Sequence, residues 1–395
     1  VAQAGHECEV DLAGVAERIG DRRAQCPVVT AQRQHDIGLG GCGREVEVGD
    51  EELLFVLVIH HIAMDGESSA PLVGDLITAY SARSAGRAQE LPPLPVQFAD
   101  VALWQQRVLG SVEDVDSVIG KQMAYWADNL AGLPDVLELP TDRPRPAVAS
   151  LDGAEIGFTI PAEVAARVTR IATERGVSPF MVVHAALAVL VSRLAVTDDV
   201  VIGTPVAGRG DRILDEMVGM FVNTLVLRTP VADGADFTEV LDVVRNADLE
   251  AFANADVPFE YLVEELDPTR SAAFAPLAQV FLSFEQGASP GGQIAYGAGG
   301  LRITPAPAPV TPAKADLTVT VRTGAPGATW NGTVLYATDL FDAKTAESMA
   351  QRLVRVLDGT TADPRALIAD VELLGAEETR EVLAAGAGAP LGWPT

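Results

Sequence analysis

An apolar run that stops abruptly on two histidines most constrains how this chain can fold. Leu53 to Ile59 are consecutive apolar residues rich in β-branched side chains, a pattern typical of a strand buried on both faces. Such strands deliver functional groups from their carboxyl ends, and here His60 and His61 follow directly. Because adjacent side chains of extended chain point in different directions, we expect one histidine to be packed as structure and the other to face a cavity.

Length and composition favour two globular lobes. The chain has 395 residues, of which 48% are hydrophobic, and this is more than one core usually serves. Its net charge of -27 argues against nucleic acid and anionic membrane as partners, because both bind basic surfaces. No run reaches the roughly 20 apolar residues of a membrane span, and the longest, Phe180 to Val196, predicts a core helix in which His184 is packed.

The cysteine pattern argues against metal and disulfide chemistry. Cys8, Cys26 and Cys42 lie in the first 42 residues with neither CxxC nor zinc-type spacing, so the sequence predicts no metal site and no disulfide framework. The start also lacks the pattern of a secretory signal. A cytoplasmic location is therefore expected.

A proline-rich segment predicts the lobe boundary. Leu139 to Pro146 contains three prolines, which prohibit a helix and keep the backbone extended. We therefore expect an N-terminal lobe over 1–146, truncated or irregular before about residue 45, and a C-terminal lobe over 147–358. Residues 359–395 are predicted to form an exit linker.

Hydrophobic periodicity predicts an α/β organisation. A hairpin strand precedes the histidines, and a helix is expected from about Ser68 to Ala85. Gln286 to Pro312, rich in Gly, Ala and Pro, predicts a long loop. The elements predicted after residue 146 are strands at Glu155–Ile160, Asp199–Pro205, Val222–Thr229, Leu277–Phe284, Leu317–Arg322 and Thr329–Tyr336, and helices at Ala162–Arg175, Pro179–Ala195, Phe237–Ala253, after Pro258 and at Phe341–Leu357.

The residues after the apolar run form a candidate site. Histidine is the side chain best suited to handle a proton near neutral pH, and Asp65 is placed to form a charge pair that fixes the loop. Gly66 supplies either backbone freedom or room for a ligand. A histidine pair alone is equally compatible with a structural role. The HExxH motif of zinc proteases does not occur in the chain, and Gly66 to Ala70 do not satisfy the GxSxG motif of hydrolases.

These residues carry a family resemblance. His60 to Gly66 match the HHxxxDG motif of the condensation domains of nonribosomal peptide synthetases, whose superfamily includes chloramphenicol acetyltransferase-like enzymes. The similarity covers about residues 45 to 380, and further motifs follow in the family order. They are Phe98–Trp104, similar to YxDFAVW, Val218–Leu225, similar to (I/V)GxFVNT, Asn254–Glu260, similar to (H/N)QDxPFE, and Arg270–Leu277, loosely similar to RDxSRNPL.

The resemblance implies a fold and a role for several residues. The implied fold is α/β, with two chloramphenicol-acetyltransferase-like lobes that form a V-shaped pseudo-dimer around a tunnel. His61 is then the catalytic residue, which hydrogen-bonds the attacking amine as general base or as positioning group. Asp65 is then structural and pairs with an arginine of the other lobe, for which Arg209 is the first candidate and Arg143 the second.

The other motif residues are expected to support the fold or the tunnel. His60 and Gly66 would support the HHxxxDG loop. Trp104 is expected to be a packing residue. The candidates for fold markers or tunnel residues are Trp104, Asn223, Pro258 and Phe259.

The implied function is peptide-bond formation between a donor acyl or peptidyl thioester and an acceptor aminoacyl thioester. Both would be carried on phosphopantetheine arms of upstream and downstream peptidyl carrier proteins, next to an adenylation domain, in a synthetase of the antibiotic or siderophore type. The resemblance implies no intrinsic cofactor and no metal. It implies no acyl-enzyme either, because no serine or cysteine nucleophile is paired with His61.

Three relatives of the same fold stay open as alternatives. Non-catalytic scaffold domains that recruit tailoring enzymes typically lose the second histidine, whereas His61 is present. Epimerisation relatives usually carry Ser-Trp after HHxxxDG, whereas this chain has Glu67-Ser68. An ester-forming acyltransferase would use the same histidine with a hydroxyl acceptor. The family motifs RHExLRTxF and SxAQxRLW are not visible before His60, so a fragment or an irregular segment at 21–43 is expected.

Overall fold

The computed structural model describes residues 41–49, 52–287, 296–298, 301–304 and 311–386. Expectations for residues 1–40, including those for Cys8 and Cys26, lie outside this range. The helices are α1 (Ser69–Ser84), α2 (Phe98–Leu109), α3 (Val118–Asn129), α4 (Ala162–Arg175), α5 (Pro179–Ala195), α6 (Phe237–Ala253), α7 (Phe259–Leu266), α8 (Ala343–Ala362) and α9 (Ala376–Gly386). The strands are β1 (Gly41–Gly49), β2 (Glu52–Ile59), β3 (Asp152–Ile160), β4 (Asp199–Val206), β5 (Asn223–Pro230), β6 (Val280–Glu285), β7 (Tyr296–Ala298), β8 (Leu301–Ile303), β9 (Thr311–Pro312), β10 (Leu317–Arg322) and β11 (Trp330–Ala337). The predicted α/β class is confirmed.

Internal contacts group the described residues into two compact units. This grouping differs from the predicted division at residue 146, which stays a prediction. The first unit takes residues up to Gln105, Arg209–Val222 and 290–309, and the second unit takes Gln106–Gly208, Asn223–Ser289 and the residues from Val310 onward.

In the first unit, β1 and β2 form the predicted antiparallel hairpin, with Gly41 opposite Ile59. The expectation that β2 is buried on both faces is wrong for the side chains that the structure describes. Phe55 is 47% exposed, and Leu57 and Val58 are only partly buried. The reason is that β2 belongs to a two-stranded ribbon, which gives a strand less cover than the interior of a larger sheet.

The second unit is built on a seven-stranded mixed sheet of order β5-β4-β6-β10-β11-β3-β9. Strand β6 is parallel to β4 and β10, and the other neighbours are antiparallel. Side chains alternate along a strand, and the two cores follow that alternation. Val200 and Ile202 of β4 belong to one hydrophobic cluster and Val201 belongs to the other, so both faces of the sheet are covered.

Helix α5 lies at the centre of the larger core, as its apolar pattern predicts. Every residue from Met181 to Val191 is buried, and the helix packs against α4, α6 and α8. His184 is fully buried, as predicted, and its Nδ1 lies 3.0 Å from a carboxylate oxygen of Asp248. Within the described residues no single helix is long and apolar enough to cross a membrane. The bent pair α4 and α5 meets the length and composition criteria only together.

Two stretches contain secondary structure that the sequence did not predict, and one predicted pairing is wrong. The predicted loop 286–312 contains the short strands β7, β8 and β9, of which β9 pairs with β3. The predicted exit linker 359–395 contains the end of α8, a 3₁₀ turn at Ile368–Asp370 and α9. Arg143 is not the partner of Asp65, since it pairs with Asp342 and donates to the carbonyl oxygen of Thr338 at 3.0 Å.

Candidate functional site

The two histidines open a 3₁₀ turn at the end of β2. His60 is the residue before the turn His61–Ala63, and its Nδ1 accepts a hydrogen bond from the N–H of Ile62 at 3.1 Å. Its carbonyl oxygen accepts from the N–H of Ala63 at 2.9 Å. Both histidines are exposed, so the expectation that one of them is packed is wrong. His60 supports the loop as a cap, because a turn leaves backbone N–H groups that need an acceptor.

The carboxylate of Asp65 is the buried anchor of this loop. The residue is 3% exposed, and its Oδ1 accepts from the N–H of Ser68 at 2.9 Å and from Arg209 Nη2 at 3.0 Å. Its Oδ2 accepts from the N–H of Phe221 at 3.0 Å, and its own N–H donates to the carbonyl oxygen of Gly219 at 3.2 Å. One side chain therefore ties the histidine loop to the segment 217–221. The predicted pairing of Asp65 with Arg209 is present, although both residues belong to the first unit.

Arg209 is nearly as buried as the carboxylate it neutralises. Its side chain is 5% exposed. Nη1 donates to the carbonyl oxygen of Met217 at 2.8 Å, and Nη2 also donates to Ser68 Oγ at 2.9 Å. The guanidinium lies over the ring of Phe221, 4.4 Å from its centroid. These partners engage both terminal nitrogens of the planar fork that makes arginine suited to a buried ion pair, whereas the buried Nε has no hydrogen-bond partner among the described residues.

Ser68 is a site residue that the sequence reasoning did not single out. It is fully buried, and its Oγ lies 2.7 Å from Asp65 Oδ1 and 2.9 Å from the carbonyl oxygen of Gly219. Ser68 Oγ also accepts a hydrogen bond from the N–H of Gly219 at 3.1 Å. Its position three residues after an aspartate is a local signal of an aspartate-centred turn. Its contacts with Gly219 have no such local signal.

The surroundings of Asp65 favour its charged form. Burial alone would raise the pKa of this carboxyl group. The hydrogen bonds from Ser68, from the Phe221 N–H and from Arg209 outweigh burial and hold the pKa below its ordinary value.

This lowered pKa gives a pH dependence with a definite sign. A group whose pKa is depressed in the folded state contributes stability above its unfolded pKa and loses it as the pH falls through the folded pKa. The free energy of unfolding of the wild type should exceed that of Asp65→Asn by a constant amount above about pH 5, and the difference should shrink below about pH 4. Urea titrations of both proteins at a series of pH values measure it. A difference that does not change with pH would contradict the expectation.

Phe98 and Gly219 show why two of the sequence motifs occur together. The rings of Phe98 and Phe221 meet edge to face with centroids 5.1 Å apart. A Cβ atom at Gly219 would lie 2.4 Å from Phe98 Cδ2, so only glycine fits without a shift. The Phe98–Trp104 motif supplies the Phe98 ring. The Val218–Leu225 motif supplies the space at Gly219 and the partner ring of Phe221.

Gly219→Ala is therefore expected to lower the free energy of unfolding by about 1–3 kcal/mol, the usual cost of overpacking. Gly210→Ala is the matched control, because nothing lies within 4 Å of a Cβ there, and we expect a change within about 0.5 kcal/mol. Urea unfolding of both variants measures the difference. Combining Gly219→Ala with Phe98→Leu should restore part of the loss, and equal effects of the two glycine substitutions would refute the packing explanation.

Gly66 and Trp104 behave differently from their expectations. Gly66 is not among the residues with positive φ, so its conformational freedom is not required. Nothing lies within 4 Å of a Cβ at Gly66, which is consistent with room for a ligand. Trp104 is 60% exposed, so the expectation that it is a packing residue is wrong. The described part of the chain does not cover the face of α2 on which it lies.

Asn223, Pro258 and Phe259 form one local cluster in the second unit. Asn223 Nδ2 donates to the carbonyl oxygens of Ala255 and Val257 at 2.9 and 2.7 Å. Its Oδ1 accepts from the N–H of Phe259 at 3.0 Å, and Pro258 precedes the first turn of α7. Asn223 therefore bonds backbone groups, as a fold marker does.

His61 is the second histidine of the anchored loop. Its ring is exposed, and its Nδ1 lies 3.2 Å from Met220 Sδ. Among the described residues, no hydroxyl or thiol side chain lies in hydrogen-bond contact with the ring. An exposed imidazole on a loop anchored by buried groups can accept a hydrogen bond or a proton from a bound molecule.

Comparison with known proteins gives consistent results. The family profile of the condensation domain matches residues 45–383. The chain is 47% identical over 341 residues to the probable non-canonical nonribosomal peptide synthetase CymA of Salinispora arenicola, covering 85% of this chain and 4% of that protein. It is 43% identical over 359 residues to the isonitrile lipopeptide synthase of Mycobacterium tuberculosis, covering 88% and 14%.

A solved structure is similar over most of the chain. The X-domain in the complex of the X-domain and OxyB from teicoplanin biosynthesis has a TM-score of 0.79 and 32% sequence identity, covering 93% of this chain and 78% of that chain. The chain spans only a small part of the curated synthetases that it matches. The motifs, the fold and the matched range agree, and the chain belongs to the condensation-domain family of nonribosomal peptide synthetases.

Proposed function

We propose that this domain forms a peptide bond between a donor acyl or peptidyl thioester and the amine of an acceptor aminoacyl thioester. Both substrates would be carried on phosphopantetheine arms of peptidyl carrier proteins, one upstream and one downstream, with an adenylation domain adjacent. The domain itself would use no cofactor. Support comes from the family membership and from the exposed His61 on its anchored loop. The predicted cytoplasmic location stays a prediction.

The reaction requires little from the protein beyond orienting the acceptor amine against the donor thioester. The acceptor nitrogen attacks the donor carbonyl carbon, the new C–N bond forms, and the C–S bond breaks. The electron pair of that bond leaves with the sulfur of the donor arm. One amine proton passes to Nε2 of His61 if the histidine is the base, or to the departing sulfur if the histidine only positions the amine. Because a thioester is already activated, holding the two reactants together supplies much of the rate.

One observation carries this proposal. Both imidazoles of the anchored loop are exposed, but Nδ1 of His60 caps the turn by accepting from the N–H of Ile62, so the available imidazole is that of His61. The neighbouring Asp65 has both carboxylate oxygens occupied by Ser68, Arg209 and Phe221. The aspartate therefore fixes the loop, and the histidine is left free to meet the amine.

The direct test uses the 395-residue chain with two carrier proteins. One carrier is loaded with an L- or a D-donor and the other with an aminoacyl acceptor, and mass spectrometry detects the product on the acceptor carrier. A dipeptidyl thioester that forms only when the chain is present supports the proposal. Absence of product with every donor and acceptor pair opposes it.

A recruitment scaffold is the second candidate, and the similarity to the X-domain favours it. It predicts that the chain binds a tailoring enzyme and forms no dipeptide in the same assay. An acceptor carrier loaded with a hydroxy acid tests the ester-forming alternative, and recovery of the inverted donor alone tests the epimerisation alternative.

A further inference from the structure

The thioether of Met220 touches the ring of His61. Sδ lies 3.2 Å from Nδ1, and Met220 is half-buried. Within the described part of the chain, it is the one side chain whose heteroatom lies in hydrogen-bond reach of that ring. Met220 occupies the variable position of the (I/V)GxFVNT-like motif, and sequence reasoning assigned it no role.

The backbone around Met220 is held on both sides. The N–H of Gly219 donates to Ser68 Oγ at 3.1 Å, and the N–H of Phe221 donates to Asp65 Oδ2 at 3.0 Å. The anchor of the histidine loop therefore also fixes the segment that carries the sulfur.

The chemistry of the contact selects one form of the imidazole. A thioether sulfur has lone pairs and no hydrogen, so it can only accept a hydrogen bond. A neutral imidazole carries one proton, on Nδ1 or on Nε2, and the partner of one nitrogen decides the form. The contact with Met220 is a hydrogen bond only when the proton is on Nδ1. Nε2 then keeps its lone pair.

We propose that Met220 is a positioning residue that holds His61 with the proton on Nδ1 and the lone pair of Nε2 available to the acceptor amine. The catalytic meaning of this inference rests on the proposed function. If Nε2 takes the amine proton, Nδ1 keeps its own proton, and the sulfur accepts from it before and after the transfer. A neutral thioether thus does the orienting that a carboxylate does in a serine-protease triad.

The first test reads the tautomer and needs no activity. Nitrogen-15 NMR of histidine-labelled 395-residue chain at about pH 9, where free histidine is neutral, reports which ring nitrogen carries the proton. Loss of the signal in His61→Ala assigns it. The wild type should show the proton on Nδ1, and Met220→Leu should move it toward Nε2. Met220→Glu restores an acceptor that carries no hydrogen when ionised, and should keep the proton on Nδ1.

The second test reads the rate of dipeptide formation. Met220→Leu should lower the rate about three- to tenfold, the value of one modest hydrogen bond, and Met220→Glu should recover most of it. Met349→Leu is the matched control, because Met349 is buried in α8 of the second unit, and its rate should not change. Circular dichroism confirms that each variant is folded.

The outcomes separate this inference from the proposed function. A wild-type proton on Nε2, or the same tautomer in wild type and Met220→Leu, overturns the role of Met220 even if dipeptide forms. If the tautomers are as expected but no dipeptide forms, the result supports the contact between Met220 and His61 and counts against the proposed function. The expected tautomers with an unchanged rate in Met220→Leu show that the contact does not position His61 for the reaction, and they overturn the proposal.

Discussion

His61→Ala should lower the rate of dipeptide formation by about 10²–10⁴-fold, the usual contribution of a positioned acid or base. The fold should not change, because the ring is exposed and is not a member of the buried network around Asp65. The rate is measured by mass spectrometry with loaded carriers, and the fold by thermal unfolding. Full residual activity in a folded variant would remove His61 from the mechanism.

A second substitution separates the two roles that stay open for His61. The amide oxygen of His61→Gln can accept a hydrogen bond from the amine but cannot take its proton. If the histidine only positions the amine, Gln should retain a rate well above that of Ala. If it is the base, Gln should be as slow as Ala.

His60→Asn is the matched control for both variants. Asparagine keeps a side-chain acceptor for the N–H of Ile62, the contact that His60 makes in the structure. The substitution removes the His60 imidazole but keeps the turn capped. We therefore expect a rate of dipeptide formation within about tenfold of the wild type. A loss as large as that of His61→Ala would show that the two histidines act together.

Much of this fold follows from local patterns. Helix α6 occupies its predicted range, Phe237–Ala253, and Asp236 and Glu239 form a capping box that fixes its start. Strand boundaries in the second unit agree with prediction to within a few residues. Such elements are predictable because period, caps and turns all lie within a few residues of one another.

The burial of side chains and the identity of their partners were not predictable from local patterns, because they depend on residues far apart in the sequence. The run Leu53–Ile59 predicts a strand correctly, but the number of neighbours of that strand is a tertiary property, and Phe55 is exposed. Ser68 bonds Gly219, and His61 touches Met220, across separations of 151 and 159 residues. No local periodicity encodes such pairs. Arg209 was predictable only because the family resemblance implied an arginine partner for Asp65.

Asp65→Asn should lower the free energy of unfolding by about 3–5 kcal/mol, the usual cost of removing one partner of a buried ion pair. The substitution conserves size but leaves the Arg209 guanidinium buried without a counter-charge. It also replaces one carboxylate oxygen by an NH₂ group. That group takes the place either of Oδ1, which accepts from Ser68 and Arg209, or of Oδ2, which accepts from Phe221. The amide would therefore face donors with a donor. Hydrogen exchange should become faster at 60–68 and at 209–221, and urea unfolding measures the total.

Two further variants decide whether this loss comes from the buried pair. Asp100→Asn alters an exposed carboxylate of the first unit that accepts from the N–H of Gln97 at 2.9 Å, and its effect should stay within about 0.5 kcal/mol. Adding Arg209→Met to Asp65→Asn removes the uncompensated cation, and it should recover part of the stability because a buried pair replaced as a whole is often neutral. Normal stability of Asp65→Asn with lost dipeptide formation would instead assign the carboxylate a chemical role beside His61.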